Sequence, residues 1–318
     1  MKVLHITNNY PTKDHPIYGI FVKEQIESLT NQGIYNEVFF INGRERGKSE
    51  YIKSVYLLKK ILNNRQYDII HCHHALSAVC MILSGESRKY KTILSYQNDP
   101  SKEQGKILYR FLKKKCRAII LKNNSTIVDN NSTFYQPNGV NIDFFKPINK
   151  NKSLEKLQLD NEKRYILFVS SNFVRQQKRH DRFQKVLQIL QDKYKLLDIE
   201  EIMLVNTERY LVPYYFNAAS LHLLTSDFEG SPNSVKEAMA CNIPVVSTDV
   251  GNVSELLEGV NGSFVSKTSE PEELAFLAYQ ALTFKGEINS REKLMEKNLD
   301  TESVAKNIIS IYKKIINE

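Results

Sequence analysis

The sequence predicts an α/β protein made of two doubly wound parallel-sheet domains. Short apolar runs alternate with amphipathic stretches along the chain, and this pattern restarts at residues 165–171 after a polar tract at 149–163. With 318 residues, 42% of them hydrophobic, there is material for two separate cores.

In chain order, residues 2–7 form an apolar strand and residues 8–18 a polar, proline-punctuated loop. A helix follows from Gly19, with Val22, Ile26 and Leu29 on one face. The loop therefore sits at the carboxyl end of the first strand, the edge where open α/β sheets bind ligands. Residues 37–41, 67–74, 91–96 and 117–121 are the next strands, separated by helical segments such as 51–64. His71 and His73 point to one side of their strand and His74 to the other, and no nearby cysteine or carboxylate cluster completes a tetrahedral set, so no metal is expected. Asp99, before Pro100 and Ser101, is either a helix cap or an acceptor-side base. Residues 136–147 are a turn with an apolar anchor, Phe144 or Phe145, and the lysine- and asparagine-rich tract 149–163 reads as a linker.

The second half opens with the strand at 165–171 and a loop bearing Arg175, Lys178 and Arg179, cations suited to a diphosphate. Strands at 200–206, 221–225 and 243–248 follow, then helices from 271 to about 283 and from 301 to 316, the last amphipathic. Residues 227–247 contain the most specific chemistry. Glu229 precedes a turn at Gly230, Ser231 is placed to cap a helix, and Pro232 suits its first position. Free amides and the positive helix end make this a site for an anion or sugar hydroxyls, and Glu237 stands further along the same helix.

Glu229 and Glu237, with the intervening Gly-Ser-Pro-Asn-Ser-Val-Lys and the following Ala-Met-Ala-Cys-Asn-Ile-Pro-Val-Val-Ser, resemble the signature of the group 1 (family 4) retaining glycosyltransferases. Residues 136–147, 250–256 and 261–262, and the Gly19 to Gln25 segment, are similar to further family blocks, although Asn141 replaces the usual aspartate. The resemblance implies the GT-B fold: two Rossmann-like domains facing a central cleft, with the carboxyl-terminal helix crossing back to the first. The expected division is 1–148 for the acceptor side, 149–163 for the linker, 164–300 for the nucleotide-sugar domain and 301–318 for the returning helix.

It also implies roles. Glu229 contacts the donor hexose and Glu237 the nucleotide ribose; Gly230, Ser231, Pro232 and Asn233 lie against the sugar and phosphate. Lys178 and Arg175 clamp the phosphates, Gly19 approaches the donor, and His73 and Asp99 are acceptor-side candidates; Gln97 or Asn98 stands where many relatives carry a histidine. The implied reaction is retaining transfer of a hexose or N-acetylhexosamine from a nucleotide diphosphate donor, a UDP-sugar first, to a glycan or lipid-linked acceptor in surface polysaccharide synthesis, without metal or cofactor. The alternatives are a nucleotide-sugar epimerase or phosphorylase of the same architecture, or a non-catalytic nucleotide-sugar-binding protein.

A net charge of +8 suits nucleic acid, an anionic membrane or phosphorylated substrates. No aromatic-interleaved basic sheet motif supports nucleic acid. Residues 110–117 gather five basic side chains with apolar ones between, which suits a solvated helix end or peripheral contact with an anionic membrane. The four cysteines show no metal or disulfide spacing, and neither a bilayer-spanning run nor a signal-peptide layout is present. The expectation is a cytoplasmic protein, with a peripheral place at the inner membrane face as the second reading.

Overall fold

The computed structural model describes residues 1–98, 100, 105–123, 132–170 and 176–317, in two units. Unit 1 comprises Met1–Gly139 together with Thr301–Glu318, and unit 2 comprises Val140–Asp300.

Unit 1 is built on strands β1 (Lys2–Thr7), β2 (Tyr35–Phe40), β3 (Ile69–His73), β4 (Thr92–Ser95), β5 (Ala118–Leu121) and β6 (Thr133–Tyr135). They form one parallel sheet in the order β2-β1-β3-β4-β5-β6, so the winding direction reverses beside β1. Alternate residues of each strand feed opposite faces. Leu4, Ile70, Cys72, Leu94 and Ile119 pack under helices Ser49–Asn64, Ala75–Leu83 and Lys106–Lys115. Val3, Ile69, Ile93, Ala118 and Ile120 pack with Leu29 of helix Ile20–Asn31 and with Val304, Ile308 and Tyr312 of helix Thr301–Asn317.

Unit 2 carries β7 (Arg164–Ser170), β8 (Ile199–Val205), β9 (Ala219–Leu224), β10 (Val245–Thr248) and β11 (Phe264–Ser266). These are also parallel, in the order β11-β10-β9-β7-β8. Helices His180–Asp192 and Pro271–Leu282 cover one face through Phe183, Val186, Leu190 and Leu274. Phe216, Val235 and Met239 close the other, so the chain is an α/β protein of two all-parallel sheets.

Two boundaries differ from the sequence reading. Residues 149–163 are not a bare linker: they contain the helix Lys150–Leu157, started by Asn149, whose side chain accepts from the Lys152 amide at 3.2 Å. Its polar residues face solvent, but Ser153 and Leu154 are buried, which docks it in unit 2. The first unit ends at Gly139 rather than 148, because Phe145 is wholly buried in the core of unit 2. The two ends of unit 2 lie side by side, the Val140 amide donating to the Leu299 carbonyl at 2.9 Å.

The four cysteines are free and buried, and burial pushes the thiols of Cys116 and Cys241 up to about 12. Among the described residues no helix is long and apolar enough to cross a membrane.

Candidate functional site

In unit 2 the polar residues collect where the parallel strands end. β7 leads through undescribed residues to a short turn, Gln176–Lys178, and β9 leads to Ser226–Gly230. The two segments are tied together by main-chain and side-chain bonds: the Asp227 amide donates to the Gln177 carbonyl at 2.9 Å, and the Thr225 hydroxyl to the Lys178 carbonyl at 2.9 Å. This tie brings the Lys178 Nζ to 2.6 Å from Glu229 Oε1, which also accepts from the Ser226 hydroxyl at 2.8 Å. Both side chains are nearly buried, at 11% and 12% exposure, so their attraction is only weakly screened.

The neighbouring cations are engaged elsewhere. Arg179 bonds Asp181 and Asp227, which raise its pKa, and Arg182 pairs with Asp227 at 3.0 Å. Lys178 is therefore the loop cation that meets Glu229, and Arg175 lies outside the described residues.

The helix start corrects one detail. Helix Asn233–Ala240 begins one residue later than the sequence suggests, with Pro232 at the cap and no side-chain cap bond. The Ser231 hydroxyl is instead taken by Lys236 Nζ at 3.0 Å, an ammonium buried inside the motif. Gly230 and Ser231 are buried, and Asn233 is half-buried at the first helical position. Glu237 lies five residues past the cap, roughly 7.5 Å along the axis. Its Oε1 is 3.3 Å from Arg209 Nη1, and the Arg209 guanidinium lies over the Phe144 and Phe145 rings at 5.1 and 4.8 Å. Gly251, after β10, fixes the turn from behind: its φ is +61°, and a Cβ there would fall 2.2 Å from the Gly230 carbonyl oxygen.

The unit 1 candidates divide. Gly19 precedes helix Ile20–Asn31 with φ +67°, and a Cβ would fall 2.3 Å from the Asn9 carbonyl, so the close approach that requires glycine is to the chain's own first loop. His73 is fully buried, its Nε2 2.9 Å from His5 Nδ1. Asp99 lies outside the described residues.

β1–β3 pairing places His5 opposite His71, and the nitrogens of His5, His71 and His73 lie within 4.8 Å of one another. They could in principle ligate a metal ion. Both ring nitrogens of His5 and His71 are engaged, by Asn36, Tyr312, Ser95 and His73, while His73 bonds through Nε2 and its buried Nδ1 has no partner among the described residues. The arrangement is a stacked, hydrogen-bonded layer under the sheet edge.

Burial lowers the pKa of His5, His74 and, in unit 2, His222 to about 4. Each stays neutral when folded but takes up a proton near pH 6.5 when unfolded, so stability is intact above that pH and lost as pH falls toward 4. The slope is about 1.4 kcal/mol per pH unit per histidine. The urea midpoint is expected to drop between pH 7 and pH 5, and a flat midpoint there would contradict neutral burial.

Arg209, Ser226 and His5 join these clusters without a local sequence signal, whereas Lys236 and Gly251 lie within the family-like stretches 229–247 and 250–256, which do not themselves encode the contacts the two residues make.

Residues 198–283 match the family model described as Glycosyl transferases group 1, a span holding Glu229 and Glu237 but not Lys178. No curated protein matches the chain by sequence. Among solved structures, sucrose-phosphate synthase from Thermosynechococcus elongatus is 15% identical with both chains covered at 100% and a TM-score of 0.76. The Anabaena protein HepE in complex with UDP is 17% identical over 98% of this chain and 100% of that one, TM-score 0.69. The catalytic domain of Starch Synthase IV from Arabidopsis thaliana, bound to ADP and acarbose, is 12% identical over 100% of both, TM-score 0.75. At these identities the likeness is one of fold, the GT-B fold of two parallel-sheet units.

Proposed function

Because residues 198–283 form a group 1 glycosyltransferase domain within a GT-B fold, we propose that the protein is a retaining hexosyl- or N-acetylhexosaminyltransferase using a nucleotide diphosphate sugar. The observation that carries this reading is the Lys178–Glu229 pair beside the start of helix Asn233–Ala240. Glu229 orients the hexose hydroxyls. Lys178 and the positive helix end offset the negative charge that develops as the nucleotide diphosphate leaves, with Arg175 assigned to the same clamp from sequence. Gly230, Ser231, Pro232 and Asn233 line the sugar and phosphate, and Glu237 holds the ribose. UDP is the favoured nucleotide, supported by the complexes of HepE with UDP and UDP-glucose.

The acceptor is a glycan or lipid-linked sugar of surface polysaccharide synthesis. In this reading Gly19 approaches the donor, His73 and Asp99 belong to the acceptor side, and peripheral contact with an anionic membrane brings a cytoplasmic enzyme to that acceptor. Same-face attack is the favoured route to retention, since Glu229 is committed to sugar hydroxyls and Lys178; a glycosyl adduct on trapped enzyme would argue against it. With the positive charge supplied by the protein, release should proceed undiminished in chelator.

The test is a donor panel read by nucleotide release, with Glu229→Ala and Glu237→Ala beside the parent. Variants that fold and release nucleotide at the parental rate would sink the site assignment. Arg209→Ala is expected to raise the donor KM about tenfold with kcat nearly kept, because a positioning contact to Glu237 worth roughly 1.5 kcal/mol is lost.

A further inference from the structure

Helix Ala75–Leu83 of unit 1 packs between helices Ser49–Asn64 and Lys106–Lys115, so the three form a continuous layer on one face of the sheet. Their inner sides are core. Their outer sides turn apolar side chains to solvent at helical spacing: Ile52 with Tyr56, Leu76 with Leu83, and Ile107 with Phe111. Ile107, Ile52 and Tyr56 are 87%, 77% and 71% exposed. Exposed apolar residues scattered singly are ordinary, but six on adjacent helices make a patch that calls for a partner.

Charge identifies that partner. Exposed Lys53, Lys60, Arg110, Lys114 and Lys115 stand among the apolar positions, and the single acidic residue of the three helices, Glu50, is buried. A second copy of this face would set like charges against each other. A basic face with protruding aromatic and aliphatic side chains matches the interface of an anionic bilayer, where lysines meet headgroups and apolar tips enter the acyl boundary. We propose that this three-helix face is a docking surface for an anionic lipid membrane. The inference deepens the membrane contact of the proposed function by giving the first helix, Ser49–Asn64, an equal share with the basic segment Lys106–Lys115.

The test is co-sedimentation of the full chain with phosphatidylcholine vesicles with and without phosphatidylglycerol, in the absence of donor and acceptor. Binding is expected only with phosphatidylglycerol, and weaker at high salt. It should fall about tenfold or more in Ile52→Ser/Tyr56→Ser, in Ile107→Ser/Phe111→Ser and in Lys114→Glu/Lys115→Glu. Nucleotide release without vesicles should be parental in all three, so a failed docking result stays separate from a failed glycosyltransferase assignment. Equal binding to neutral vesicles, or undiminished binding of Ile52→Ser/Tyr56→Ser, would overturn the proposal. If the parent stays in the supernatant, it is likewise overturned, and the face belongs to an acidic protein.

Discussion

Replacing Lys178 by alanine is expected to lower kcat by two to three orders of magnitude, the scale of losing one preorganised charge at a leaving group. Lys178 is the cation that reaches Glu229, at 2.6 Å, while Arg179 and Arg182 are held by Asp181 and Asp227 and cannot substitute without breaking their own pairs. Stability should fall too, by about 3 kcal/mol, because a nearly buried carboxylate loses its counter-charge and, among the described residues, keeps the Ser226 hydroxyl. The two effects separate in the double variant Lys178→Ala/Glu229→Gln. Removing both charges should restore much of the urea midpoint while leaving turnover low. A double variant that regained turnover with stability would show that Lys178 acts only as a structural partner.

The second large effect is expected at Gly251, where alanine should cost about 2–4 kcal/mol of stability, the range for forced backbone displacement at a special φ. The new Cβ would meet backbone, 2.2 Å from the Gly230 oxygen and 3.1 Å from the Glu229 oxygen, so no side-chain rotation relieves it. The turn that presents Ser231 and the helix start must move, and donor affinity should fall with stability. Gly33→Ala is the control: its φ is +81°, yet nothing lies within 4 Å of the added atom. It should cost only the roughly 1 kcal/mol of a left-handed alanine. Thermal unfolding and donor titration of both variants decide the point, and equal losses would refute the backbone-clash account.

Much of this molecule is legible from the chain because parallel strands buried on both faces read as short apolar runs, as in Ile69–His73 and Arg164–Ser170. Glu229 and Glu237 were readable because the turn and helix between them are local, and Lys178 because it follows a strong strand. What escaped is long-range. His5 meets His71 and His73 only through the adjacency of β1 and β3, which no local spacing encodes. Ser231 suits a cap by its residue type, but Lys236 competes for the same hydroxyl from within the helix. Arg209 reaches Glu237 from 28 positions away by lying on two phenylalanines of another segment. The helix Lys150–Leu157 was hidden because a single fully buried apolar side chain, Leu154, anchors it among charged neighbours.

The paired ends of unit 2, Val140 beside Leu299 and Asp300, bear on the order of events during synthesis. All of unit 2 leaves the ribosome before the last helix does. Unit 1, begun first, waits for Val304, Ile308 and Tyr312 to seal the face that holds Val3, Ile93 and Ile120. The earlier-made half is thus the later to be completed, and until Thr301–Asn317 arrives its open apolar face is a natural substrate for chaperones.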